Sequence, residues 1–392
     1  MEPLAPVPSP QPLADLAADH PCLWGQRQLS ADATWVMEPN GVLIPTSRSG
    51  RDGSRWWLSR KQGGLTGQGI PILALNDVRG ERTIYPLGTN DGSVSAIPSM
   101  KVKRPLLLYG GSLFDHFGHL IVDLSRTYQL LRLFRNSRET IWFHYPGQIY
   151  TPQHKAENGN STPIANPLID EWLRCLGIRK RVRVIRKTMH GSMLMSSSVL
   201  YRDRAFVTAD FPQAARAALS PKLSRRLLKV ERLPGRMAYL SRHKLQQGTT
   251  CFEGEQEVVE ALARLPNVDV ICAEELSIRA KLKLFRQYQL VTGFPQAAML
   301  LKYFVPHRQP RDLAKLFLFS AGPRSLNSNW VNFDRAFGFG DQVLDCSAGP
   351  GAAQEPDHQA GPVQPGQAEG FQRHNAFDVG VMVDSLRALA AS

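Results

Sequence analysis

The sequence contains no uninterrupted apolar run of the roughly 18–20 residues a bilayer-spanning helix needs, and no apolar h-region near its start. These absences argue against membrane insertion and secretion, and leave peripheral attachment open. Cysteine is scarce, at 22, 175, 251, 272 and 346, and no two form a CxxC pair. Neither a zinc site nor a disulfide framework is indicated, so the expectation is a reduced, cytoplasmic protein that uses its cysteines as small apolar groups. No GxGxxG opens a βαβ unit and no GxxxxGK[ST] occurs, so the ordinary dinucleotide and P-loop signatures are missing. HExxH and GxSxG are also absent, which argues against a zinc hydrolase and a nucleophile-elbow hydrolase. No internal repeat is apparent.

Positive charge is in excess: 47 Lys and Arg against 34 Asp and Glu give a formal net charge of +13. Such a balance suits anionic partners, among them nucleotides and an anionic membrane surface. No familiar nucleic-acid recognition module accompanies it, so nucleic acid is not expected as a partner. The charge is clustered at 179–187, RKRVRVIRK, and at Lys222, Arg225, Arg226, Lys229 and Arg232. In the first cluster Val182, Val184 and Ile185 suggest a strand with one solvated basic face; docking on a membrane or polyanion is the alternative.

A chain of 392 residues exceeds what one hydrophobic core usually serves, so two packed units are expected. Residues 1–30, with proline and alanine prominent at the start, form a flexible lead-in. KRPLLLYGG at 103–111 is a buried strand, followed by a helix over 115–134 with apolar positions at Leu120, Ile121, Leu124, Tyr128, Leu130 and Leu131. Strands at 141–145 and 181–186, a helix at 167–176 and a short buried element at 191–201 complete an alternating pattern that points to a parallel sheet. A second alternation begins after a helix near 212–230. It has strands at 237–243, in 267–276, near 291, in 313–320 and, last, at VLDC, with helices at 253–265, 277–288 and 295–304. The expected domains are therefore 31–205 and 206–346, an exposed linker or insertion at 347–370, and a closing helix at 371–392. The fold class is α/β.

Two stretches carry candidate chemistry. Asp115, His119 and Asp123 follow one another at i, i+4 steps on one helical face, and His116 stands three residues before His119. A histidine oriented by a carboxylate suits a general base. The same spacing serves equally a histidine that braces the preceding loop. In the second half, Tyr239-Leu240-Ser241-Arg242-His243 ends a strand, where α/β folds bind diphosphates, and a guanidinium can neutralise a leaving phosphate. Lys244 and Lys302 are further cations of this kind. Glu253 and Glu255 could orient a substrate or simply favour a helix N-terminus. The glycine turn at 291–298, with Gly293 and Gln296, could present backbone amides to phosphate.

The order of these features resembles the glycosyltransferase 61 family, also described as capsular polysaccharide biosynthesis proteins and once as a domain of unknown function. The likeness spans about residues 105–310. It rests on the GHxxxD segment at 118–123, the YLSR strand end at 239–242, the acidic patch that follows, and LSIRAKLKLFRQYQLVTGFPQAA at 276–298. The resemblance implies two Rossmann-like domains facing across a cleft (GT-B architecture), metal-independent inverting transfer and a nucleotide-sugar donor, with no further cofactor. It implies an acceptor that is a glycan or lipid-linked saccharide. His119 and Asp123, with His116 beside them, match the family's first-domain motif, and Tyr239, Ser241 and Arg242 its donor-phosphate motif. Glu253 and Glu255 lie where the family has an Asn-Glu pair, without the asparagine. GFPQAA at 293–298 replaces a histidine-containing glycine loop, and Met299–Leu301 supply no asparagine. This departure implies altered donor recognition, a divergent subfamily, or a protein that kept the fold for a structural or assembly role.

Overall fold

The computed structural model describes residues 9–30, 32–44, 63–65, 72, 78–79, 82–83, 102–114, 116–145, 166–185, 188–245, 248–347 and 371–391. It is a mixed α/β protein of several sheets, and no helix among the described residues is long and apolar enough to cross a membrane. The chain divides into two compact units, Gln28–Leu223 and Met1–Arg27 with Ser224–Ser392.

The first unit is built on strands β1 (Trp35–Pro39), β2 (Val42–Ile44), β3 (Val102–Ser112), β4 (Ile141–His144), β5 (Val182–Val184) and β6 (Met189–Ser197). Four are parallel, in the spatial order β5-β4-β3-β6, with β1 and β2 antiparallel to β6. Chain order therefore reverses between β3 and β6, a topological switch point. Gly110 is skipped in the β3–β4 register, and a Cβ there would lie 2.4 Å from the Phe143 ring, so the strand bulges where only glycine fits. Leu107, Tyr109, Ile185, Met189 and Leu194 form the core on this sheet.

The expected helix over 115–134 is two helices, α1 (Phe117–Val122) and α2 (Ser125–Phe134). All six apolar residues assigned to its stripe are buried. The break comes at Asp123–Leu124, where the Tyr128 hydroxyl donates to the Ile121 carbonyl and itself accepts Trp172 Nε1–H at 3.1 Å. Side-chain bonds thus serve groups that a continuous helix would pair along its own backbone.

Helix α3 (Pro167–Leu176) has clear sequence punctuation. Asn166 Oδ1 accepts the amides of Leu168 and Ile169, Pro167 opens the first turn, and Gly177 ends the helix at φ 76°. Its Trp172 is fully buried, and truncation to Ala should cost about 3–5 kcal/mol. Helix α4 (Phe211–Ala218) belongs to this unit, not to the next as the 205/206 boundary supposed: Arg132 pairs with Asp210 at 3.3 Å and Arg135 donates to the Ala218 carbonyl at 2.7 Å. Helix α5 (Pro221–Leu228) runs across the division between units, so the expected helix near 212–230 is two.

The second unit has the parallel strands β7 (Met237–Ser241), β9 (Val268–Cys272), β10 (Leu290–Gly293), β11 (Lys315–Ser320) and β12 (Gln342–Asp345), with β8 (Gly248–Glu253) outside this sheet. Their spatial order is β9-β7-β10-β11-β12, the 2-1-3-4-5 arrangement of a doubly wound sheet whose switch point lies between its first and third strands. Helices α6 (Glu255–Leu262), α7 (Ile278–Gln287) and α8 (Asn329–Phe337) accompany it; α8 was not anticipated. Residues 297–304, expected as an α-helix, form a 3-10 helix, with Val305 N–H on the Lys302 carbonyl.

Residues 9–27, expected within the lead-in, add a strand at Gln11–Pro12 antiparallel to β12 and bury Leu13 and Leu16. VLDC is not the last strand. β13 (Phe371–Ala376) pairs in parallel with β8, and α9 (Val379–Ala391) joins the core against α6 through Met382 and Leu386. Most of the expected linker, 348–370, lies outside the described residues.

Candidate functional site

In the first unit, β3 ends at Ser112 beside the switch point and the chain enters α1 through His116, its N-cap residue. His119 Nδ1 lies 3.0 Å from Asp123 Oδ2, and both side chains keep partial exposure, 15% and 23%. Asp123 is the C-cap of α1, so the break between α1 and α2 preserves the i, i+4 pair. The His116 ring stands 4.9 Å from that of His119, and Phe114 packs edge-on to His119 at 6.1 Å. Asp115 lies outside the described residues. The arrangement is a histidine held by a carboxylate at the C-terminal end of a central parallel strand.

In the second unit, β7 and β10 pair only as far as Tyr239 and Thr292. Beyond them the next acceptor, the Leu240 carbonyl, takes Gln296 Nε2–H at 2.8 Å. Gly293 also comes close to this carbonyl: a Cβ at this residue would sit 2.6 Å from it, and its φ is 136°. Gly293 and Gln296 thus converge on the tip of β7 at the switch point, and only glycine fits the first position.

Glu255, the first residue of α6, gathers that tip. Its Oε1 accepts the Tyr239 hydroxyl at 3.1 Å, the Arg242 amide at 3.0 Å and the Ser241 hydroxyl at 3.3 Å. Burial raises the Glu255 carboxyl above its ordinary range, although each of these donors acts in the opposite direction. Tyr239 is fully buried, and its hydroxyl is pushed well up by burial and by Glu255. Tyr239 and Glu255 therefore brace the strand end from within, while Ser241 and Arg242 form it. Glu253 ends β8, exposed, opposite Ala376 of β13.

Arg242 is half-buried, with its guanidinium 5.8 Å from the centre of the Phe252 ring. Burial lowers its pKa, Glu255 and Glu274 act upward, and a guanidinium stays cationic at any ordinary pH. Phe252 stacks on Phe294 at 3.7 Å, and Phe377 meets Phe294 edge-on. Phe294, at the divergent glycine loop, is thus a core residue.

Other candidate cations are committed elsewhere. Lys302 is 1% exposed and pairs with the buried Asp341 at 2.5 Å, so it does not reach a surface ligand. Lys244 is exposed and pairs with Glu275 at 2.9 Å. In the basic run, Arg179 bonds Asp170, and Arg181 donates to the Glu139 and Phe134 carbonyls at 2.9 Å each. Two of its arginines are therefore structural. His243, to which the sequence pattern assigned no role, places its Nδ1 2.6 Å from Ser241 Oγ. The nearness of a serine two residues earlier at a strand end was the available signal.

A family model, Glycosyltransferase 61, matches residues 117–308, which takes in His119, Asp123, the β7 tip and the Gly293–Gln296 loop. The chain carries a glycosyltransferase 61 domain. A domain of this family implies donor and acceptor substrates, and the match supports a transferase. No curated protein matches the chain.

Proposed function

We propose that this glycosyltransferase 61 protein is an inverting, metal-independent enzyme that moves a sugar from a nucleotide sugar to a hydroxyl of a glycan or lipid-linked saccharide. In this reading the two units are the halves of a GT-B enzyme. The second unit binds the donor and the first presents the base to the acceptor. The observation that carries the reading is the β7 tip: Ser241 and Arg242 stand at the switch point of a 2-1-3-4-5 sheet, where such folds bind phosphorylated ligands.

The chemistry follows from the two groups. With Nδ1–H given to Asp123 Oδ2, the His119 ring carries its basic lone pair on Nε2, which takes the acceptor's proton. The acceptor oxygen attacks the anomeric carbon opposite the diphosphate, and the configuration inverts. Negative charge grows on the departing diphosphate, where the Arg242 guanidinium meets it with directed hydrogen bonds. We further propose a cytoplasmic protein, peripheral at the inner face of the membrane. Lys222, Arg225, Arg226, Lys229 and Arg232, all exposed, support attraction to anionic lipid.

A second reading is a catalytically degenerate member with a structural or assembly role in polysaccharide synthesis. It is favoured by Phe294, a core residue where the family's histidine loop is expected. Hydrogen exchange with and without nucleotide sugars tests donor binding at this site. Protection confined to 240–243 and 293–297 supports it, and protection elsewhere in the chain, or none with any donor, counts against it.

A further inference from the structure

The β7 tip contains a polar atom with no role so far. His243 is half-buried, its Nδ1 is engaged by Ser241, and its Nε2 makes no hydrogen bond to another described residue. The Ser241 hydroxyl is placed to serve the ring in either state. Its oxygen lies 2.6 Å from Nδ1 and 3.3 Å from Glu255 Oε1, and it accepts the His243 amide at 3.2 Å. It can donate to a bare Nδ1, which puts the ring's proton on Nε2. It can also accept from Nδ1–H while passing its own proton to Glu255. The charged surroundings are Arg242 before the ring, and Lys244 paired with Glu275 after it; the Cys272 thiol sulfur lies 3.9 Å from Nδ1.

We propose that His243 is a second phosphate ligand beside Arg242: its Nε2–H bonds an oxygen of the nucleoside diphosphate, and Ser241, backed by Glu255, is the positioning residue that sets the ring's tautomer. An anion selects the Nε2–H state because a hydrogen bond to a charged oxygen is the stronger one. Consecutive Arg242 and His243 then give the diphosphate a fork and a single donor at one strand end. The inference rests on the donor-site reading above.

Calorimetric titration of UDP, GDP and ADP into wild type and the variants His243→Gln, His243→Asn and His243→Ala separates the possibilities, with circular dichroism as the check on folding. Glutamine carries an amide N–H near the position of Nε2–H. Asparagine reaches only the Nδ1 position and keeps the contact to Ser241. The expected result is near-wild-type affinity for Gln, and affinity about 10- to 100-fold weaker for Asn and Ala, for the nucleotide wild type binds best. Asn like wild type with Gln weakened would mean the ring only braces Ser241, and all three like wild type would mean it does nothing for the ligand. Either result overturns the inference and leaves the donor site standing. Wild type that binds none of the three nucleotides overturns both.

Discussion

Replacing Asp334 by Asn should flatten part of the pH dependence of stability. Asp334 is 1% exposed; its Oδ1 accepts the Asp341 amide at 3.1 Å, and its Oδ2 has no hydrogen-bond partner among the described residues. Burial and the neighbouring Asp341 charge push the carboxyl from 3.8 up to about 6. A carboxyl raised in the native state binds its proton more tightly folded than unfolded. Its stabilisation is complete below pH 3.8 and is lost as pH rises through 6. The gap corresponds to about 3 kcal/mol in full, of which about 1.4 kcal/mol remains at pH 5 and almost none at pH 8. Asparagine does not titrate and keeps the Oδ1 acceptor, although its buried amide could add an unmet donor worth about 1–3 kcal/mol at every pH. The diagnostic quantity is thus a slope. In urea unfolding followed by tryptophan fluorescence, the variant should gain about 1.4 kcal/mol on wild type between pH 5 and pH 8. A constant difference across that range would refute the argument.

Lys302→Met strands the Asp341 carboxylate in the same interior and should cost about 3–5 kcal/mol of stability, part of it recovered by adding Asp341→Asn; denaturant midpoints measure both. Gly293→Ala forces a Cβ onto the Leu240 carbonyl at a φ of 136°, so the thermal midpoint should fall by the equivalent of about 1–3 kcal/mol and nucleotide affinity should fall with it. His119→Asn should lower turnover by about 10²- to 10⁴-fold while leaving nucleotide affinity and thermal midpoint unchanged, as steady-state kinetics and calorimetry would show.

What the sequence made legible follows from period and punctuation. Leu120 to Leu131 fall on a helical stripe and are buried, and Asn166-Pro167 with Gly177 bound α3 at the expected residues. The break at Asp123–Leu124 was not legible, because it depends on Tyr128 and Trp172 meeting across helices. Lys302 looked like a phosphate cation because its partner, Asp341, is 39 residues away in sequence. α8 was not anticipated, although capping residue types, Asn327 and Ser328, precede NWVNFDRAF and Gly338 follows it: Asn327 Oδ1 accepts the Asn329 amide at 2.9 Å, Gly338 ends the helix at φ 66°, and Trp330, Val331 and Phe333 are buried. At the candidate site, the local i, i+4 spacing anticipated the His119–Asp123 pair. Glu255 was found by motif order alone, and its bracing of Tyr239 and the Arg242 amide required the sheet.

The most direct measurement is release of nucleoside diphosphate from a panel of nucleotide sugars, offered with saccharide acceptors in the presence of EDTA, by wild type and by His119→Asn. The account predicts release with at least one donor, undiminished by EDTA, and lost in the variant. Turnover that EDTA abolishes, or that His119→Asn retains in full, would contradict it.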